Sequence, residues 1–345
     1  MVDDFGRRNV SARCAECQAS DSYHDLPEGA NDPAQAEPRT RPESATFALP
    51  MKRLEVEEHR VASFDDTELA YHVVGEGAPV LLANGLGGSW RAWSHQLEYF
   101  RDRYQFVSWD YRGLYRSGRP PDADAVDIAD HAEDAIAVMD AAGITSTAIF
   151  GWSMGVQVAL EIFRRAPDRV RALVLVNGVA GSPWTTAFRS ARIGALIPPV
   201  LSLLRTVPSL TQAATERFMQ MPETVTWAKR VGLAGQTLDE EIFHQLASSF
   251  VDLDMDLYLH TLERLGQHDA KDVLETLDVP VLVITGDRDL FTPRAAAEQM
   301  VRDVRGAELL VVPGGTHYVA VEYPELVNLR IEKFLRERGY VASAL

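Results

Sequence analysis

The chain has 345 residues, 46% of them hydrophobic, which is enough to bury a sizeable core in one large domain or two ordinary ones. Its formal charge of -16 argues against nucleic acid or an anionic membrane as a partner, because counterion release needs clustered Lys and Arg. The two cysteines, Cys14 and Cys17, make no disulfide framework for the rest of the chain, so a reducing, cytoplasmic setting is expected.

Residues 1–50 mix Asp, Glu, Arg, Ser and Pro without periodicity or a sustained apolar run. Such a segment cannot bury enough surface to offset its ordering entropy, and a disordered tail is expected. It lacks the basic start and apolar stretch of a secretory signal. Cys14-Ala-Glu-Cys17 has the spacing of half a zinc site, but a closed site needs four ligands and only His24 is near, so no metal is expected. Met51 opens the first patterned segment, and the native start is expected there.

From Met51 the pattern is strands first, then strands alternating with helices. Residues 54–63 and 68–74 flank Asp65-Asp66 as an antiparallel hairpin. Pro79-Val80-Leu81-Leu82-Ala83 is a continuous apolar run of the kind buried on both faces of a parallel sheet, and similar runs recur at 105–109, 146–150, 172–176, 279–285 and 308–312. Between them Ile128, Ala132, Ala135, Ile136 and Met139 share one helical face, as do Val156, Leu160 and Phe163. Val327, Ile331 and Leu335 form a last stripe, closed by Gly339. The alternation predicts an α/β fold: a mostly parallel, doubly wound sheet with helices on both faces.

Residues 182–272 break the alternation. They are helical in pattern, hold no convincing strand and are too long for a loop, so an inserted helical cap is expected between the two halves of a catalytic domain, 51–181 and 273–345. Within it, 193–204 is apolar, interrupted by Pro198-Pro199 and too short to span a bilayer; stable membrane insertion is not expected. Its apolar residues suit a helix packed on the catalytic domain, or a surface that lines a site or meets lipid.

The chemistry centres on Phe150-Gly151-Trp152-Ser153-Met154-Gly155, where a strand breaks into Gly-x-Ser-x-Gly and continues as a helix. A serine hydroxyl at its ordinary pKa is a poor nucleophile and must be held exposed beside a base. A sharp strand-to-helix turn does this, so Ser153 is the candidate nucleophile, and the Met154 N–H at the helix start is a candidate oxyanion donor.

The matching base is His317, in a Gly-rich loop beyond the last strand, at the sheet edge that also carries Ser153. The other eight histidines are scattered, without ligand-like spacing. Asp287 and Asp289, in the loop after the preceding strand, both qualify on chemistry to orient the imidazole, and either could instead cap the loop or pair with Arg288. A second oxyanion donor is expected from Asn84-Gly85-Leu86-Gly87-Gly88-Ser89-Trp90, whose glycines let backbone approach a carbonyl; the Leu86 N–H is the candidate. The loop lacks the Gly-Lys-Ser/Thr ending of a phosphate-binding P-loop.

With these pieces in order, residues 51–345 resemble the α/β-hydrolase superfamily, in a serine-nucleophile, cap-bearing, esterase- or lipase-like branch. The order Ser153, Asp289, His317 matches that family's nucleophile, acid and base. Its Gly-x-x-Asp pattern falls on Gly286 and Asp289, which selects Asp289 over Asp287. Asp110-Tyr111-Arg112-Gly113-Leu114-Tyr115-Arg116-Ser117 is similar to the family's Asp-x-Arg-Gly-x-Gly-x-Ser loop, implied to be architectural, and Glu322-Tyr323-Pro324 also fits. The family's His-Gly before the oxyanion loop is Asn84-Gly85 here, and its Gly-His is Thr316-His317. A serine in the elbow argues against the aspartate-nucleophile dehalogenase and epoxide hydrolase branches.

The resemblance implies a serine hydrolase that cleaves a carboxylic ester with an apolar part through an acyl-enzyme, needing no cofactor. Trp90, Trp152 and Met154, with the cap residues Trp184, Ile197 and Leu201, are candidates to line its pocket, although such side chains suit a plain core equally. Carbon–carbon bond hydrolysis, thioester cleavage and cofactor-free perhydrolysis share the machinery. A ligand-binding module with slow turnover is the reading from a different class.

Overall fold

A computed structural model describes residues 54–186, 190–221 and 223–340. The expected tail 1–50, with Cys14, Cys17 and His24, lies outside the described residues.

Eight strands, β1 (Glu57–Ala62), β2 (Glu68–Val74), β3 (Ala78–Ala83), β4 (Tyr104–Trp109), β5 (Thr147–Trp152), β6 (Val170–Val176), β7 (Val281–Gly286) and β8 (Glu308–Val312), form one sheet in the order β1-β2-β4-β3-β5-β6-β7-β8. The expected hairpin is β1–β2, paired antiparallel with Ala62 opposite Glu68, and β2 meets β4 antiparallel. From β4 onward every neighbouring pair is parallel.

Helices α1 (Ser94–Phe100), α2 (Ile128–Ala141) and α3 (Met154–Arg165) alternate with the strands of the first half. The apolar runs are unbroken because both sheet faces are covered, and alternate residues serve different cores. In β3, Leu81 and Ala83 pack on one face with Val138 and Met139 of α2 and Val156 and Leu160 of α3. Val80 and Leu82 pack on the other with Leu97 and Phe100 of α1.

Between β6 and β7 the described residues contain no strand. They form α4 (Ala191–Gly194), α5 (Ile197–Arg205), α6 (Pro208–Met219), α7 (Thr224–Arg230), α8 (Glu240–Ser249), α9 (Met255–Gln267) and α10 (Lys271–Leu274). Pro198 and Pro199 do not interrupt a helix; they occupy the first turn of α5, where a missing N–H and a fixed φ cost nothing. The chain closes with α11 (Arg294–Asp303), α12 (Val319–Glu322) and α13 (Pro324–Glu337). The Val327, Ile331 and Leu335 stripe of α13 packs on the α1 face of the sheet. Gly339, at φ 69°, ends that helix, and the Tyr340 N–H returns to the Leu335 carbonyl.

Candidate active site

Ser153 sits between β5 and α3 with φ 56° and ψ -117°, a backbone conformation that L side chains rarely adopt. The turn is held by the Ser153 N–H donating to the Val176 carbonyl of the neighbouring strand. It also depends on a close approach: a Cβ on Gly155 would collide with the Ala83 carbonyl oxygen, so the helix can cross the end of β3 only with glycine there.

The loop after β8 brings His317 Nε2 to 2.9 Å from Ser153 Oγ, and the loop after β7 brings Asp289 Oδ2 to 2.9 Å from His317 Nδ1. All three come from C-terminal ends of parallel strands, although 164 residues separate the serine from the histidine. The Trp152 indole N–H donates to the His317 carbonyl at 3.0 Å, and the Phe291 ring meets the imidazole edge-on at 5.1 Å.

Asp289 is fully buried, and its carboxylate is heavily solvated by protein. Oδ1 accepts the N–H groups of Phe291 (2.8 Å) and Thr292 (3.0 Å); Oδ2 accepts the Thr292 hydroxyl (2.6 Å) and the Asn177 amide (2.7 Å). Burial pushes its pKa up, but the facing His317 and the Thr292 hydrogen bonds outweigh burial and hold the carboxyl below its usual range. Asp287 has a different position: its Oδ1 accepts the Gly314 N–H at 2.8 Å and so helps to fix the loop that carries His317.

Three residues without an expected role in the site support this arrangement. Asn177, at φ 45°, gives its amide to both Asp289 and the Thr316 carbonyl. Thr292 serves Asp289 from the turn before α11. Glu322 accepts the N–H and hydroxyl of Thr316, next to His317, and also the Gly235 N–H of the helical insert at 2.6 Å. The sequence signal for Asn177 is its place directly after the apolar run 172–176, at the strand end where the other site residues also lie.

In the loop after β3, the buried Asn84 side chain donates to Ser108 Oγ (2.9 Å) and to the Trp109 carbonyl (3.2 Å), and accepts the Trp93 indole N–H (3.2 Å). The residue that replaces the family's histidine thus ties the loop to β4. A Cβ on Gly85 would stand 2.8 Å from the Trp152 ring, which puts this loop against the end of β5. Leu86 follows, half-buried, and the N–H of Met154 lies in the first turn of α3, where no preceding helical carbonyl is available to it.

The other expected pocket residues are dispersed. Trp184, Ile197 and Leu201 pack with Met255 and Leu259 in a small core of the helical insert. Trp90 lines a polar cleft of about 760 Å³ with Glu58, His72, Asp110 and Tyr115, which none of Ser153, Asp289 and His317 lines. Among the described residues no group of three or more His, Cys, Asp or Glu side chains is placed to hold a metal ion.

A sequence model of the family described as alpha/beta hydrolase fold matches residues 78–324. RutD of Azorhizobium caulinodans, provisionally named a carbamate hydrolase, is 27% identical over 272 residues, covering 79% of this chain and 96% of RutD. The enol-lactonase from Burkholderia xenovorans LB400 superposes with a TM-score of 0.65 at 21% identity, covering 81% of this chain and 100% of the other. A thermophilic esterase from Thermogutta terrifontis gives a TM-score of 0.64 at 23% identity, covering 82% and 99%.

Proposed function

The chain belongs to the α/β-hydrolase fold family, and on that premise we propose that it is a serine hydrolase cleaving a carboxylic ester with an apolar acyl or alcohol part. The observation that carries the reading is the unbroken line Ser153 Oγ, His317, Asp289, with both spacings at 2.9 Å. Ser153 attacks the carbonyl carbon while His317 Nε2 takes its proton, and the buried Asp289 carboxylate stabilises the imidazolium that forms. The N–H groups of Leu86 and Met154 receive the oxyanion. His317 returns the proton to the departing alkoxide, and a water then attacks the acyl-serine by the same relay, releasing the acid. No cofactor enters the cycle, and residues 182–272 act as the cap over the substrate.

The names of the relatives favour a second substrate class, carbamates, whose carbonyl differs from an ester's by a nitrogen substituent. Both belong in one panel with short and long esters, thioesters and dienones. The expected result is a burst with a chromogenic ester and covalent labelling by a fluorophosphonate probe, both lost in Ser153→Ala. Stoichiometric substrate binding with negligible turnover and no labelling would instead indicate a ligand-binding module.

A further inference from the structure

Helix α5 is apolar on both of its faces. Ile197, Leu201 and Leu204 point inward, against Met255 and Leu259 of α9. Leu196, Val200 and Leu203 point to solvent, and Leu196 and Leu203 are 64% and 66% exposed. The outer face of a helix packed on a protein normally carries polar side chains; from Ile193 to Leu204, Ser202 is the one polar residue.

The exposed stripe continues beyond α5. Ile193, Leu196, Val200 and Leu203 are exposed on and before α5, and Val207 and Leu210 are exposed where the chain turns by 108° into α6. Leu204, Val207, Leu210, Ala214 and Phe218 line an apolar groove of about 510 Å³, and Phe218 meets Trp227 of α7 edge-on at 5.5 Å. Of the fourteen large apolar side chains that are strongly exposed among the described residues, ten lie between 193 and 231. They therefore form a patch rather than scatter.

Charge distinguishes the possible occupants. Residues 190–231 hold five Arg or Lys against two Glu, in a chain with 34 against 50 overall; Arg205 and Lys229 are paired with Glu263 and Glu240, both at 2.6 Å, so the contribution to a surface comes from the other three. Arg192, Arg217 and Arg230 are exposed around the apolar stripe. An anionic lipid surface matches both the apolar strip and these three arginines, whereas a second copy offers them no added acidic partner beyond Glu216 and Glu223. The charge of the whole chain is no obstacle, since at physiological salt charges beyond about 8 Å from the surface are largely screened.

We propose that α5, α6 and α7 form a docking face for anionic membranes, on which the protein adsorbs without crossing. No single helix among the described residues is long and apolar enough to span a bilayer; Arg192–Arg205 and Pro208–Met219 reach that length only together, across a bend of 108°, and α5 is held to α9 on its inner side. The proposal does not depend on the reaction assigned to Ser153.

The test is co-sedimentation of the full chain with vesicles of phosphatidylcholine alone or mixed with phosphatidylglycerol. We expect at least tenfold stronger partitioning onto the mixed vesicles, declining with added salt. Leu196→Glu/Leu203→Glu should lose binding tenfold or more with an unchanged melting curve, because both side chains are solvated. Arg192→Glu/Arg217→Glu/Arg230→Glu should abolish the preference for phosphatidylglycerol. Equal, weak sedimentation with both vesicles would overturn the proposal. So would light scattering that shows a dimer dissociated by the leucine substitutions, with no vesicle binding by the wild type.

Discussion

The amide nitrogen of Asn177 lies 2.7 Å from Asp289 Oδ2, the same oxygen that faces His317 Nδ1 at 2.9 Å. A side chain at the end of β6 therefore shares the carboxylate that orients the candidate base. Asn177 also suits its backbone, since asparagine tolerates the φ of 45° found there.

From this we expect Asn177→Ala to lower kcat with little change in KM, because the contact orients the base rather than the substrate. A hydrogen bond to a charged group is worth about 1.5–3 kcal/mol, so a fall of roughly 10- to 100-fold is the upper range. Asn177→Asp places a second carboxylate beside Asp289, and two so close cannot both ionise. The folded variant then keeps a proton that the unfolded chain releases above about pH 4, so its stability falls as pH rises. Melting temperatures at pH 5 and pH 8 check this; a pH-independent loss would mean that Asn177 acts through packing alone.

Ser153 carries backbone strain along with its hydroxyl. Its φ of 56° and ψ of -117° cost a non-glycine residue roughly 1–3 kcal/mol. Ser153→Gly should therefore be inactive yet more stable than Ser153→Ala by about 1 kcal/mol, after the extra chain entropy of glycine is subtracted. Urea unfolding of the two variants is the measurement. Equal midpoints would show that the elbow is not strained.

The parts of this architecture with a local signal were legible in the sequence. Continuous apolar runs marked β3 to β7 because each is covered on both faces, and Gly-x-Ser-x-Gly at a strand-to-helix change marked the elbow. Asp287 and Asp289 were inseparable on chemistry, because the loop conformation that turns one toward Gly314 and the other toward His317 has no periodic signature. The roles of Asn177, Thr292 and Glu322 are not legible for a related reason: their contacts join segments that are distant in sequence or depend on a particular turn. The net charge, a sum over 345 residues, does not show where charge is distributed, and residues 190–231 hold five Arg or Lys against two Glu.

Arg112, in the loop after β4, is wholly buried and joins three segments. Its Nε donates to Asp134 of α2 at 2.8 Å, and its Nη1 donates to Asp65 of the β1–β2 turn at 3.0 Å and to the Ala125 carbonyl at 2.9 Å. Arg112→Met should destabilise by about 3–5 kcal/mol, since it leaves the Asp134 charge buried without its partner. Burial already raises the Asp134 pKa, against the opposing effect of Arg112. Without Arg112 the folded state holds that proton to higher pH, so the loss should be larger at pH 8 than at pH 5. Arg112→Met/Asp134→Leu should recover most of the deficit in denaturant unfolding. If the double variant is no better than the single, the pair is not the source of the cost.

His131 is buried in α2 with its ring 4.7 Å from that of Tyr111, and neither ring nitrogen has a hydrogen-bond partner among the described residues. Burial, helped by the Arg112 charge, lowers its pKa to about 3, and burial lowers that of His72 to about 4. Both are neutral when folded and take up protons on unfolding below about pH 6.5, so stability is lost as pH falls from there toward the folded values. Asp110, pushed up to about 7 by burial, runs the other way: it favours the folded state as pH falls and so partly masks the histidines. His131→Leu removes one histidine from this balance and substitutes carbon for two unpaired nitrogens, so it should be neutral or stabilising at pH 8. Between pH 4 and 6 its unfolding free energy should decline less steeply than the wild type's, by about 1.4 kcal/mol per pH unit. Parallel curves for the two proteins across that range would mean that His131 is already charged in the folded protein, or that water reaches it there.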